Sequence, residues 1–131
     1  MQFLASGDVV MSTAFNGRVF AAQEEGANMG IVWDGSIYAM DSWAIPKGSW
    51  HRDAAKAFIA MTLQPEQQKI HSEKLGYGST NLKVGSLLDA KLQPRLNTAP
   101  QNLAGALALN DEFWVDYGED LEERFNAWVA K

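Results

Sequence analysis

The spacing of apolar positions changes character along the chain. Val9, Val10 and Met11, followed by Ser12 and Thr13, form a short apolar and β-branched run between Gly7 and Gly17, which predicts a strand from Asp8 to Phe15. "NGRVFAAQEEG" then predicts a short helix with Asn16 as its cap, Val19, Phe20 and Ala22 on its inner face and Gly26 as its terminator. "MGIVWDG" predicts a second strand ending in a turn at Asp34 and Gly35. Ile37 to Ile45 predicts a third, stopped by Pro46. Strand, helix, strand is the order of an α/β fold.

Beyond "PKGSWHR" the period becomes helical. Ala54, Ala55, Phe58, Ile59 and Met61 to Leu63 recur on one face, Asp53 favours the helix start, and Pro65 ends this helix and opens the next, "PEQQKIHSEKLG", which closes at Gly76. "GYGSTN" is a loop, "VGSLLDAKL" a short helix before Pro94, and "PQNLAGALALN" a mostly apolar helix opened by Pro100. The last helix, from Asp111 to about Val129, sets Phe113, Tyr117, Leu121, Phe125 and Trp128 along one face, with Glu119, Asp120, Glu122, Glu123 and Arg124 largely off it. No linker, repeat or low-complexity tract interrupts this order.

Composition narrows the partners. The 131 residues, 47% hydrophobic, suit one ordinary domain with material for a core. A net charge of -5 with 11 scattered basic residues argues against a nucleic-acid partner or an anionic membrane surface. The absence of cysteine excludes disulfides and thiolate chemistry and leaves the compartment open. No apolar run is long enough to span a bilayer, and "MQFLASGDVV" lacks the basic region and apolar core of a signal peptide.

Motifs for catalysis and for cofactors fail one after another. His51 and His71 stand far apart and in no metal-binding pattern, "GYGS" is not a nucleophile elbow, and "GANMG" is not a phosphate loop, so the sequence implies no metal and no cofactor. The aromatic residues stand out instead: five Trp, three Tyr and six Phe. Trp128 and Phe58 are explained as core by helical spacing, whereas Phe15, Trp33, Tyr38, Trp43 and Tyr77 fall at strand ends or in a loop, where binding groups collect. One carboxylate, Asp41, interrupts the apolar run "IYAMDSWAIP". A carboxylate among aromatic faces describes a site for an organic cation, because ring faces attract ammonium groups and the carboxylate neutralises them.

"LASGDVVMSTAFNGRVFAAQEEG", "IVWDGSIYAMDSWAIPKGS", "DAAKAFIAMTLQPEQQ", "LGYGSTN" and "EFWVDYGEDLEERFNAWVAK" together resemble, in order and over nearly the whole chain, the C-terminal part of bacterial extracellular solute-binding proteins of the spermidine/putrescine-binding type, the periplasmic capture subunits of ABC importers. The resemblance implies a C-terminal fragment of a two-lobed α/β fold, the type II periplasmic binding protein fold, with ligand held between the lobes, the larger part of the mature chain, most of the first lobe included, preceding residue 1, and the signal peptide of the full-length protein absent from this chain. By that likeness residues 1–37 belong to the second lobe, 38–46 form the strand that crosses the hinge, 47–78 are helices of the first lobe, and 79–131 are C-terminal helices near the hinge and second lobe. The implied partners are a small cationic amine or amino acid and, for the full-length protein, a membrane permease. Asp41 takes the place of the acid that pairs with a ligand amine, Phe15 that of an aromatic wall before Asn-Gly, and Tyr77 that of the ligand-contacting tyrosine. The sequence departs from the pattern at Ala39, where polyamine binders carry a second stacking Trp; Trp43, Tyr38 or Trp33 are candidates to replace it. Putrescine and 4-aminobutyrate are as compatible with this pattern as spermidine.

Two other readings of Asp41 stand beside binding. An enzyme or sensor domain on the same α/β lobe would use it as a base, although no motif supplies the acid or nucleophile such a reaction needs. A structural role would pair it with Lys47 or Arg18. The apolar strand 37–45 and the helix that follows, without the rest of a lobe to cover them, predict a homodimer with the crossing strand or the next helices exchanged.

Overall fold

The computed structural model describes residues 2–131. Its helices follow the punctuation of the sequence most closely where proline opens and glycine closes. After α1 (Gln2–Ser6) and α2 (Asn16–Glu24), the pair α3 (Arg52–Thr62) and α4 (Pro65–Leu75) is divided by Pro65, which sits in the first turn of α4, where its missing N–H costs no hydrogen bond. Gly76 ends α4 in the left-handed conformation (φ 69°), and its N–H donates to the Ser72 carbonyl oxygen. Two 3-10 turns, Leu82–Leu87 and Gln93–Arg95, lead to the short α5 (Pro100–Leu103), and the long α6 spans Asp111–Val129. Asn110 caps α6 by accepting a 3.0 Å hydrogen bond from the Phe113 N–H, and Asp111 and Glu112 favour the positive end of its dipole.

Two short strands, β1 (Ile37–Tyr38) and β2 (Leu107–Ala108), pair in parallel with Ile37 opposite Leu107 and Tyr38 opposite Ala108. The Leu107 N–H donates to the Ser36 carbonyl and the Leu109 N–H to the Tyr38 carbonyl, each at 2.8 Å. The closest packing lies elsewhere, where α2, α4 and the Leu82–Leu87 turn meet: Val19, Val84, Leu96 and Ala99 are buried there and in the following turns. Asn102, buried on α5, ties that region together by donating from Nδ2 to the carbonyls of Leu96 (2.7 Å) and Pro94 (3.0 Å).

Several expectations are corrected. Asp8–Phe15 and the "MGIVW" segment form no strand, and only Ile37–Tyr38 of the expected Ile37–Ile45 strand is paired. A strand needs a neighbour for its N–H and C=O groups, and among the described residues β2 is the one neighbour present, over two positions. Gln2–Ser6, ahead of the expected first strand, is helical. "PQNLAGALALN" is helical only to Leu103 and then enters β2, while "VGSLLDAKL" gives a 3-10 turn. Asn16 is the first residue of α2 and not its cap; Phe15 holds the cap position with an extended backbone. Phe58 and Trp128, assigned to the core by spacing, are 48% and 68% exposed.

Candidate functional site

"FNGR" and "LGYG" are sixty residues apart and meet in space. The Asn16 Nδ2 donates a 2.6 Å hydrogen bond to the Gly76 carbonyl oxygen. At Gly17 the two backbones approach so closely that a Cβ there would lie 2.5 Å from the Tyr77 ring and 2.6 Å from the Leu75 carbonyl oxygen. Phe20, one turn further along α2, lies against Gly76, which a side chain at that glycine would strike. The positive φ of Gly76 and the absent side chain of Gly17 are what allow this docking.

Tyr77 is held from both sides. It is half-buried, with Gly17 against its ring and the His71 imidazole stacked at 6.2 Å and 28°. The next residue is fixed too, since the Gly78 N–H donates to Asn97 Oδ1 at 2.8 Å. Phe15 precedes the docked Asn16 and is 77% exposed, so α2 presents an open ring beside the held Tyr77 loop. Arg18, in the first turn of α2, is exposed, and among the described residues it joins no ion pair.

Asp41 lies three positions beyond the end of β1 and is exposed. Among the described residues it forms an ion pair with neither Lys47 nor Arg18, which removes the structural pairing considered above. Trp43, two residues on, meets Phe58 of α3 edge to face (5.4 Å, 88°) and remains 61% exposed. Tyr38 is half-buried in β1, and Trp33 is half-buried before the Asp34–Gly35 turn. The structure thus joins the Phe15 and Tyr77 loops directly and ties Trp43 to α3. It shows no ring pairing between Tyr38 or Trp33 and the other candidates. Asn16 and Gly17, the residues that bring the two loops together, were not among the sequence candidates; the Asn-Gly pair after Phe15 was the available signal. Among the described residues no three His, Asp or Glu side chains gather as a metal site, and no helix is long and apolar enough to cross a membrane.

Comparison with known proteins gives a consistent result. Residues 1–102 match the model of the family described as bacterial extracellular solute-binding protein. The chain is 52% identical over 130 residues to the gamma-aminobutyric acid-binding protein of Pseudomonas aeruginosa, covering 99% of this chain and 37% of that protein. It is 32% identical over 121 residues to the spermidine/putrescine-binding periplasmic protein of Salmonella typhimurium, covering 82% of this chain and 35% of that protein. It superposes with a TM-score of 0.78 and 28% identity on the periplasmic binding protein (PBP) AgtB of A. tumefaciens R10, solved in complex with agropinic acid, over 99% of this chain and 41% of that one. The chain therefore spans little more than a third of the length of these curated relatives, and its fold is that of part of a periplasmic binding protein, the α/β class expected from the sequence. These relatives carry the names of binding proteins and not of enzymes. A family match over most of its length, joined to this structural likeness, means that the chain belongs to the bacterial extracellular solute-binding protein family.

Proposed function

We propose that the chain is the amine-facing part of the solute receptor of an ABC importer, acting in the periplasm, and that its ligand is a small ω-amino acid of the 4-aminobutyrate kind in preference to a polyamine. The observation that carries this reading is Asp41: an exposed carboxylate just past β1 that no cation in the chain neutralises, among the described residues. A ligand ammonium is the natural partner for such a group. Ala39 supports the choice of ligand, since a long polyamine gains from a second stacked ring and this position has none. The 52% identity to a relative named for gamma-aminobutyric acid, against 32% to one named for spermidine and putrescine, points the same way. An amino acid also needs a cation for its carboxylate, and Arg18, exposed at the start of α2 beside Phe15 and in no ion pair among the described residues, is suited to it.

In this reading residues 1–37 lie in one lobe, 38–46 cross the hinge, 47–78 belong to the other lobe, and 79–131 pack near the hinge. The contact of Asn16 and Gly17 with Gly76 and Tyr77 is then one between lobes, at the edge of the ligand cleft, and a permease is the membrane partner. The test replaces the matching 130 residues of the P. aeruginosa relative by this chain. Calorimetry should show 4-aminobutyrate binding, with Asp41→Asn weakening it by about 1.5–3 kcal/mol, the scale of a charge-assisted hydrogen bond. Equal affinities for the two would overturn the role of Asp41.

A further inference from the structure

Two positions apart on one turn, Arg95 and Asn97 reach the two segments that carry the candidate ligand rings. Arg95 reaches α2: its Nη2 donates a 2.8 Å hydrogen bond to Gln23 Oε1, and its guanidinium lies over the Phe20 ring, 4.8 Å from the centroid. Glu24 Oε1 is 3.5 Å from its Nη1, a pair exposed enough to contribute little by itself. Asn97 reaches the Tyr77 loop. Its Oδ1 accepts from the Gly78 N–H at 2.8 Å, and Thr98 lies so near Gly78 that a Cβ there would strike it.

The residue between them explains the arrangement. Leu96 has an extended backbone (φ -87°, ψ 149°) and is 1% exposed, so its own side chain enters the core while its two neighbours are directed away from it. Ala99 is buried in the same turn. The turn is thus anchored in the core, and its two polar residues are left to hold what lies beside it. Gln23 is oriented for Arg95, because its Nε2 donates to the Met29 carbonyl at 2.7 Å and leaves Oε1 for the guanidinium.

α2 and the Tyr77 loop already touch at Asn16 and Gly17, in the first turn of the helix. A contact at one end of a helix leaves the helix free to swing about it. Arg95 acts on the second half, through Phe20, Gln23 and Glu24. We infer that Arg95 and Asn97 are positioning residues: with the buried Leu96 between them they form a brace that fixes α2, with Phe15 at its head, against the Tyr77 loop. They act through the two rings, whose separation must be held within about half an ångström for a small ligand to meet both. The effect on ligand rests on the reading of Phe15 and Tyr77 as ligand contacts. Arg95 and Asn97 are links in series, so losing either one releases the same constraint.

The experiment measures 4-aminobutyrate affinity in the chimera that carries this chain within the P. aeruginosa relative. Arg95→Leu and Asn97→Ala should each weaken binding about fivefold, the worth of one hydrogen bond, and the double variant Arg95→Leu/Asn97→Ala should stay within about twofold of the weaker single. Asn97→Asp keeps an oxygen to accept the Gly78 N–H and should bind within about twofold of the unchanged chimera. Singles without effect, losses that multiply in the double variant, or an Asp that fails to restore binding would overturn the brace. A chimera that does not bind 4-aminobutyrate, or is indifferent to both Phe15→Ala and Tyr77→Ala, would refute the ligand reading instead. Hydrogen exchange in this chain then decides the brace without ligand: Asn97→Ala should speed exchange of the Gly78 N–H about tenfold and Asn97→Asp should not, while Arg95→Leu should speed the amides of the second half of α2. Exchange unchanged by either loss would overturn it.

Discussion

The side-chain amide of Asn16 donates a 2.6 Å hydrogen bond to the carbonyl oxygen of Gly76, sixty positions further along the chain. It joins the first turn of α2 to the left-handed end of α4, and Gly17 beside it leaves room for Tyr77 and for nothing larger than hydrogen. Gly17→Ala therefore forces a methyl into the Tyr77 ring and the Leu75 carbonyl. It should destabilise the chain by about 1–3 kcal/mol, the usual cost of overpacking, read by urea denaturation. An unchanged midpoint would mean that this contact yields without cost.

Arg18 tests the choice of ligand separately from Asp41. In the chimera with the P. aeruginosa relative, Arg18→Gln should weaken 4-aminobutyrate by about tenfold or more, the worth of a charge-assisted contact, and leave putrescine, which has no carboxylate, within about twofold. Competition binding with both ligands checks this. Equal losses for the two would remove Arg18 from carboxylate recognition.

The chain by itself should bind these ligands poorly, because a pocket that encloses its ligand draws contacts from more surface than Phe15, Asp41 and Tyr77 provide. Titration with putrescine, spermidine and 4-aminobutyrate, followed by tryptophan fluorescence, should show no saturation at micromolar concentration. Tight saturation would show that these 131 residues hold a whole site.

Asn102 should matter to stability and not to ligand. Its Nδ2 serves the carbonyls of Pro94 and Leu96 from a buried position, so Asn102→Ala leaves both without that donor. Thermal or urea unfolding should show a loss of about 1–3 kcal/mol. A change under about 0.5 kcal/mol would mean that other groups replace the bond.

What the sequence determined on its own is local. Pro65, Gly76 and the residue spacing of 111–129 act within their own segments, so the limits of α4 and α6 and the Gly26 stop after α2 were legible without any partner. The quoted motifs likewise carried the family, and Asp41 stood out by interrupting the apolar run around it. What needed tertiary structure was every feature that depends on a distant neighbour. Val9–Met11 and Trp43–Ile45 look like strands, but a ladder exists only where another segment lies alongside, and β2 was hidden in "LAGALALN", which reads equally well as helix. Asn16 looked like a cap because its side chain suits one; the Gly76 carbonyl, sixty residues away, claims its amide, and no local pattern records that. Phe58 and Trp128 have the spacing of core residues, yet spacing states only which face they share, and what lies against that face is decided by the rest of the fold.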